Sequence, residues 1–258
     1  MQYGRRNQKN DITRLSFWAP KLERCGLPVP KTILVEATGA EICNAQCCLE
    51  EGVEPKDILS LVDRIKVATD TMGYPCFLRT DHTAGKHNWE NTCYVSSPDK
   101  LLGHILGIIE YSMCAGFFGL PCDVWAVREM LPVRPRGVCV GYGNMPVIKE
   151  FRYFVDGYNI ECWHPYWPED ALQNGGIIWN VPHGDSYRHL CTPTNCAEMD
   201  TLAKCVGCAV SGGRWSVDII ETEKGWYITD MAEADKSFHW DGCEVAAKRN
   251  KEKEETTC

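Results

Sequence analysis

The chain has 258 residues, of which 44% are hydrophobic and 24% are charged, and its formal net charge is -8. This composition is typical of a folded globular protein and excludes a disordered or collagen-like chain. The acidic balance argues against a protein that coats nucleic acid, because such proteins carry an excess of exposed lysine and arginine.

The sequence carries no recognisable export or membrane signal. No apolar stretch follows the polar residues 1–10 that could act as a signal peptide, and the apolar segments 101–109 and 114–127 are interrupted by Gly, His, Pro or Asp. We therefore expect a soluble, cytoplasmic protein with no membrane contact. The 16 cysteines are accordingly expected to be mostly reduced, small apolar residues.

Residue spacing gives little support to a metal site built from cysteine or histidine. Zinc at Cys191, Cys196, Cys205 and Cys208 is an alternative, but the C-x-x-C pair lies inside a predicted helix and has no second pair like it. The histidines show no H-x-x-x-H spacing. No Walker A loop, Rossmann fingerprint or G-x-S-x-G elbow occurs, so P-loop, dehydrogenase and hydrolase functions have no support.

The first half of the chain is predicted to alternate helices with strands. Helical spacing of apolar residues ends at Gly26 in the first helix and at Gly73 in the second, where a glycine C-cap belongs. A polar loop turned by Gly85 joins two strands into a hairpin that carries cations. The predicted ranges are helices at 15–25, 55–72 and 98–111 and strands at 32–35, 74–80, 92–95 and 124–131.

The second half begins with a connector rich in proline and glycine at 132–146, which suggests a lobe boundary. A strand at 147–157 follows, and alternation puts Glu150 and Arg152 on one face of it and Lys149 on the other. Residues 162–196 are predicted to be long loops with short elements, and 197–211 a helix. Residues 214–232 form a clear β-hairpin with its turn at 223–225, and the charged tail is expected to fray.

Two acids on the final hairpin suggest a metal site. Asp218 and Asp230 each interrupt an apolar strand on either side of one turn, so they can be cross-strand neighbours. A buried carboxylate without a partner is costly and usually pairs with a cation or a metal. A solvent-facing position on an open sheet face is the alternative for either acid alone. Their pairing favours a Mg²⁺ ion that carries nucleotide phosphates.

Two cations on the first hairpin have the complementary property. Arg79 projects from a predicted strand and Lys86 from the glycine-containing loop beside it, so both can reach one anion. The alternative is a pair of exposed surface cations, the commoner location for either residue type. Arg79 lies within the apolar run "CFLRT", which fits that alternative less well.

Taken in order, these segments resemble the ATP-grasp superfamily. The lead-in is "GLPVPKT", the first phosphate-binding strand and loop "PCFLRTDHTAGK", the adenine linker "VREMLPV", the strand that opens the C-terminal half "KEFRYFVDG", and the metal-binding hairpin "WSVDIIETEKGWYITDMA". The resemblance covers about residues 15–240. It is closest to the small clade that contains the assembly factor of translation initiation factor 2.

The resemblance implies an α+β ATP-grasp fold in which two lobes grip a nucleotide between antiparallel sheets. It implies a pre-grasp segment at 1–50, an N-lobe at 51–131, a C-lobe with the metal-binding hairpin at 132–245 and a charged flexible tail at 246–258. ATP and Mg²⁺ are the implied ligands.

The resemblance also implies a role for individual residues. By this resemblance, Arg79 and Lys86 would bind the α- and β-phosphates, and Arg152 would face the γ-phosphate or an acyl phosphate. Asp218 and Asp230 would ligate Mg²⁺. Backbone groups of Glu129, Met130 and Leu131 would contact the adenine. Arg152 and Lys86 would be the catalytic cations.

One position departs from the family pattern. Ala232 stands where many members have an asparagine that completes the metal site. Three alternatives follow: Glu233 or Asp235 takes its place, the site holds one metal more weakly, or catalysis is reduced to nucleotide binding. Lys236 could touch a phosphate or a substrate carboxylate, and a solvated lysine is the alternative.

The function implied is an ATP- and Mg²⁺-dependent carboxylate–amine or carboxylate–thiol ligase that acts through an acyl phosphate. Its substrate could be a small molecule, a peptide or a protein, with residues 163–189 shaping the acceptor pocket. The alternative is a nucleotide-binding assembly factor or protein-binding module without ligase turnover. A ligase that modifies nucleic-acid ends is disfavoured by the acidic balance. The sequence does not indicate an oligomeric state.

Overall fold

The structure, a computed structural model, describes residues 11–52, 58–115, 119–210 and 212–257. The predictions for the N-terminal residues 1–10 and for the start of the second helix at 55–57 therefore lie outside the described residues. The helices are α1 (Leu15–Arg24), α2 (Gly39–Glu51), α3 (Leu59–Met72), α4 (Leu101–Cys114), α5 (Glu169–Asn174), α6 (His183–Cys191), α7 (Cys196–Ala209) and α8 (Glu244–Thr257).

The strands follow the α+β pattern expected from the sequence. They are β1 (Thr32–Glu36), β2 (Cys76–Thr80), β3 (Tyr94–Val95), β4 (Val124–Glu129), β5 (Gly137–Cys139), β6 (Met145–Val147), β7 (Glu150–Asp156), β8 (Asn159–Pro165), β9 (Ile177–Trp179), β10 (Arg214–Thr222) and β11 (Gly225–Glu233). Within the described part of the chain, no helix combines the length and apolarity that a membrane crossing requires.

Contacts divide the chain into two compact units. The first comprises the described residues of Met1–Phe17, Pro30–Leu131 and Val138–Pro146, and the second those of Trp18–Val29, Pro132–Gly137 and Val147–Cys258.

The first unit is built on an antiparallel sheet in the order β1-β4-β2-β3. Helices α3 and α4 pack against it because each has an apolar stripe at helical spacing. The stripes and the sheet share one core, which includes Leu61, Ile65, Leu78, Ile105, Ile108, Trp125 and Val127. Cys76 and Leu78 of β2 belong to this core, and the same strand carries Arg79.

The second unit is built on an antiparallel sheet in the order β11-β10-β7-β8. Helix α7 covers one face of it with buried residues that include Met199, Leu202 and Val206. Gly207 makes this packing close, because a Cβ at that position would fall 1.8 Å from the Gly157 carbonyl oxygen. The other face carries Arg152 and Asp218.

Four segments are more regular than the sequence predicted. Residues 39–51 form α2, which was missed, and the connector at 132–146 contains β5 and most of β6. The segment 162–196, expected to be mostly loops, contains the second half of β8 and all of α5, β9 and α6, and the tail expected to fray forms most of α8. The short strands β5, β6 and β9 are stabilised by pairing with one another across the sequence, whereas α8 is rich in the strong helix formers Ala, Lys, Arg and Glu and lacks only an apolar stripe. In the tail, Arg249 of α8 forms an ion pair with Glu161 of β8.

Candidate functional site

The two hairpin acids and one arginine lie side by side on one face of the second sheet. Asp218 in β10 lies opposite Asp230 in β11 and, on its other side, opposite Arg152 in β7. Directly opposite residues of antiparallel strands share a face, so the predicted cross-strand pairing of the two acids is confirmed. We call Asp230, Asp218 and Arg152 the central row.

Arg152 holds Asp218 in a bidentate ion pair. The Nε and a terminal nitrogen of Arg152 donate to the two carboxylate oxygens of Asp218 at 2.7 and 2.9 Å, and Asp218 is only 4% exposed. Burial alone would lower the pKa of the Arg152 guanidinium, but the Asp218 carboxylate outweighs it and raises that pKa. A buried pair of this shape fixes both side chains in one geometry.

Glu150 is a third acid on this face, and sequence reasoning did not identify it as a site residue. It is buried in β7 two residues before Arg152, and its charge contributes to the raised pKa of Arg152. Its Oε1 accepts a 3.4 Å hydrogen bond from Thr229 Oγ1, which also lies 3.3 Å from the carbonyl oxygen of Asp218. The Tyr166 ring covers the guanidinium, with its centroid 4.9 Å from Arg152 Cζ. Strand alternation was the signal that could have identified Glu150.

The structure does not bring the expected additional ligands to the central row. Glu233 lies an odd number of residues from Asp230, which puts it on the opposite face of the sheet, and it forms an ion pair with Lys236. Asp235 lies beyond the strand and forms an ion pair with Arg214 at 2.5 Å. The acid that shares the face of the central row is therefore Glu150.

The two predicted phosphate-binding cations both lie in the first unit. Arg79 is 3% exposed in β2, and its Nε donates to the Thr80 carbonyl oxygen at 3.0 Å. Lys86 follows Gly85, which adopts a left-handed conformation with φ of 60° and so turns the loop. Burial raises the pKa of the Cys93 thiol to about 12, and Lys86 and Arg79 both act against that rise. Both cations are therefore within electrostatic reach of Cys93.

The predicted adenine linker follows the central strand β4. The backbone N–H of Glu129 donates to the Lys31 carbonyl oxygen at 3.0 Å, and its carboxylate accepts from the Lys31 N–H at 2.7 Å. The N–H of Glu129 is therefore engaged within the protein. Met130 and Leu131 follow outside regular secondary structure and are half-buried. Leu131 also ends the long segment of the first unit.

A second charged cluster lies on the face of the second sheet opposite the central row. Lys149 is buried, and its Nζ donates to Thr194 Oγ1 at 3.0 Å. Burial lowers the pKa of Lys149, Glu221 opposes that shift, and Arg136 adds to it. His189 Nε2 lies 3.7 Å from Glu221 Oε2. This cluster was not predicted, and its members come from four separate segments.

The comparisons with known proteins give matches among solved structures alone. No family model matches the chain, and no curated protein does. Cdc123 from Schizosaccharomyces pombe is 12% identical, with a TM-score of 0.55 over 93% of this chain and 90% of that one.

Two further matches are larger proteins. A RimK domain ATP-grasp protein from Sphaerobacter thermophilus is 13% identical with a TM-score of 0.49, and the ATP-grasp ligase PsnB is 10% identical with a TM-score of 0.48. The chain spans 62% of the first of these and 54% of the second. At these identities the likeness concerns the fold, and in that respect the chain has the ATP-grasp fold.

Proposed function

We propose that this chain binds ATP with Mg²⁺ and acts as a carboxylate–amine or carboxylate–thiol ligase. The observation that carries the proposal is the central row. Two carboxylates and an arginine are held together on one sheet face of an ATP-grasp fold, on the hairpin and strand whose sequences resemble the family's metal-binding and phosphate-binding segments.

Asp218 and Asp230 are the residues that would hold Mg²⁺. Carboxylate oxygens are the donors that this ion prefers, and it commonly takes one or two of them together with phosphate and water. Each carboxylate oxygen has two lone pairs, so Asp218 can accept from Arg152 and still face a cation. Glu150 shares their face and is our candidate for the third acid, in preference to Glu233.

The phosphates would be bound by Arg79 and Lys86, and the transferring phosphoryl group by Arg152. All three are cations, and charge neutralisation is the main demand of phosphoryl transfer. Because the N–H of Glu129 is engaged by Lys31, backbone groups of Met130 and Leu131 are the better candidates for adenine.

In the proposed reaction the γ-phosphoryl group passes from ATP to a carboxylate oxygen, releasing ADP and leaving an acyl phosphate. An amine or thiol then attacks the carbonyl carbon, loses its proton and displaces inorganic phosphate. The carboxylate and the acceptor belong to a small molecule, a peptide or a protein side chain. We propose that residues 163–189 shape the acceptor site. We also propose that the protein acts in the cytoplasm.

The second candidate is a nucleotide-binding assembly factor without ligase turnover. The fold match to Cdc123 favours it, because that match covers nine-tenths of both chains. Ala232 favours it as well, since alanine cannot ligate a metal and stands on the same face as Asp230. Both candidates require ATP binding, and they differ in turnover.

A turnover assay separates the two candidates. Wild-type protein is incubated with ATP, Mg²⁺ and a panel of carboxylate and amine or thiol compounds, and ADP is quantified, with Asp230→Asn as the control for contaminating ATPase. A ligase gives ADP formation that depends on an acceptor and falls at least about 100-fold in the variant, consistent with loss of a main electrostatic contribution. ATP binding without ADP formation across the panel would reject the ligase in favour of the assembly factor.

A further inference from the structure

Two cysteines and two histidines converge at the edge of the second sheet. Cys162 and His164 lie on β8, and His239 and Cys243 lie between β11 and α8. Their ligand atoms, Sγ for the cysteines and ring nitrogens for the histidines, all lie within 4.8 Å of one another. Among the residues that the structure describes, no other group of three or more His, Cys, Asp or Glu side chains is gathered this closely. Sequence spacing does not reveal this group, because one pair of ligands lies on β8 and the other lies about 75 residues later.

Four of the six distances between these atoms match a tetrahedron around zinc, and the two between His164 and the sulfurs are at most 4.8 Å. Zinc bonds of about 2.3 Å to sulfur and 2.0–2.1 Å to nitrogen require tetrahedral edges of about 3.8 Å between sulfurs, 3.5 Å between sulfur and nitrogen, and 3.4 Å between nitrogens. The two sulfurs are 3.7 Å apart. His239 Nδ1 lies 3.6 Å from Cys162 Sγ, 3.4 Å from Cys243 Sγ and 3.4 Å from His164 Nε2.

A disulfide or an ordinary hydrogen-bonded cluster accounts less well for this arrangement. A disulfide requires sulfurs about 2.05 Å apart, and here they are 3.7 Å apart. Hydrogen bonds would orient one or two of these groups, whereas the ligand atoms of all four lie within 4.8 Å of one another. No carboxylate belongs to the group, so its donors are thiol and imidazole, the set that zinc prefers.

The surroundings hold the ligands in position. The His239 ring stacks on Phe154, with centroids 3.7 Å apart and planes inclined by 16°, and the His164 ring meets the same phenylalanine edge-on. Trp240 Nε1 donates to the Pro165 carbonyl oxygen at 2.9 Å, which fixes the chain between His239 and Cys243 against the end of β8. A surface cavity lined by residues that include His239 and Cys243 gives an ion a route from solvent.

We propose that Cys162, His164, His239 and Cys243 bind one Zn²⁺ ion in a closed structural site. Four protein ligands complete the tetrahedron and leave no position for a substrate. The ion ties the segment that leads into α8 to the edge strand β8. His164 lies opposite Arg152 in the register, so the zinc site adjoins the central row and is separate from it, two strand spacings or about 10 Å from Asp218.

The test measures zinc in the full chain. Protein is produced with zinc, purified under reducing conditions and dialysed, and its zinc content is determined by mass spectrometry of the metal. Wild type is expected to hold one zinc per chain. The pair Cys162→Ser with Cys243→Ser is expected to lose it, with more than about a 100-fold fall in zinc affinity, since outer residues alone account for about 10–100-fold. The matched control, Cys205→Ser with Cys208→Ser, removes the C-x-x-C pair of the alternative site that the sequence suggested and is expected to keep the zinc.

Three outcomes would overturn the proposal. Folded wild type that takes up no zinc is one, and equal zinc content in the two double variants is another. A Cys162–Cys243 disulfide in protein alkylated at lysis is the third. If the first double variant does not fold, the visible absorption spectrum of cobalt-substituted wild type is the test instead. Tetrahedral ligation by two thiolates and two imidazoles gives intense visible bands with thiolate charge transfer, and a weak octahedral spectrum would reject the site.

Discussion

Asp218 is held from the side by Arg152, and this contact changes how its function can be tested. Both carboxylate oxygens accept from the guanidinium, and the Asp218 side chain is 6% exposed. Removing one member of a buried ion pair leaves the other charge uncompensated. Substitution of Asp218 therefore changes the free energy of unfolding as well as the binding of any ion.

We predict that Asp218→Asn lowers the free energy of unfolding by about 3–5 kcal/mol, because it leaves Arg152 buried without its charge partner. Asp230→Asn is expected to cost less than about 1 kcal/mol, since Asp230 is half-buried. Urea denaturation of the two variants and the wild type measures both values. Equal losses in the two variants would show that the ion pair contributes nothing specific.

The residues of the central row differ in how far the sequence predicted them. The hairpin itself could be predicted from its short turn and strongly patterned strands, but the two-residue turn at 223–224 alone would pair Asp218 with Thr229. A β-bulge between Asp218 and Ile219 shifts the register so that Asp218 lies opposite Asp230. The pairing of Arg152 with Asp218 could not be predicted from the sequence, because it depends on which strand lies beside β10. Strand alternation puts Glu150 on the same face as Arg152 and puts Glu233 on the face opposite Asp230, so alternation favours Glu150 over Glu233 as the third acid.

At the scale of elements, α2 shows a signal that was present but not used. Thr38 and Glu41 form a reciprocal capping box, in which the Thr38 N–H donates to Glu41 Oε2 at 2.8 Å and the Glu41 N–H donates to Thr38 Oγ1 at 3.2 Å. Arg64 of α3 then donates to both oxygens of Glu41 at 3.0 and 2.9 Å. The spacing T-x-x-E predicts a helix start, but the ion pair with α3 depends on tertiary structure.

This cap predicts a pH dependence of stability. The hydrogen bonds from Arg64, with those from Thr38, hold the pKa of Glu41 at about 2, below its ordinary value of 4.5. A carboxyl with a lowered pKa stabilises the fold fully above its ordinary value and loses that effect as the pH falls through the lowered one. We predict that Glu41→Gln costs about 1–2 kcal/mol at neutral pH, a modest value because Arg64 is partly exposed.

The difference between wild type and Glu41→Gln should shrink as the pH falls from 4.5 toward about 2. Denaturation across this range measures it, and Glu51→Gln, at the exposed end of the same helix, is the control and should stay within about 0.5 kcal/mol throughout. A wild-type advantage that does not change with pH would mean that the charge of Glu41 is not the cause.

The packing of α7 on the second sheet depends on one glycine. Gly207→Ala is predicted to cost about 1–3 kcal/mol or more, because the new methyl group overlaps the Gly157 carbonyl and forces the helix away from the sheet. Gly103 in α4 is the matched control, since it is helical and exposed and nothing lies within 4 Å of an added Cβ. Gly103→Ala should gain about 0.5–1 kcal/mol from helix propensity. Thermal unfolding of both variants tests the contrast, and equal shifts would contradict it.

At the scale of the whole molecule, the order of the main helices and strands was more predictable than the shorter elements and the contacts between distant segments. The helices and strands that carry the ATP-grasp resemblance are strongly patterned, and the fold they build is the one that the resemblance implied. Among the other elements that were not predicted, β5 and β6 are only three residues long and α8 lacks an apolar stripe, so these depend on distant contacts. The Cys162–His164–His239–Cys243 cluster belongs to the same class, because it forms once β8 and the segment before α8 meet.

The proposed function rests on ATP binding, which calorimetric titration of the full chain measures directly. The account predicts that wild type binds ATP in the presence of Mg²⁺ and loses most of that affinity when the metal is chelated. Asp230→Asn should bind at least about tenfold more weakly, a loss of about 1.4 kcal/mol, while Asp156→Asn, an exposed acid at the end of β7, should bind like wild type. Absence of ATP binding in folded wild type, or equal affinity in the two variants, would contradict it.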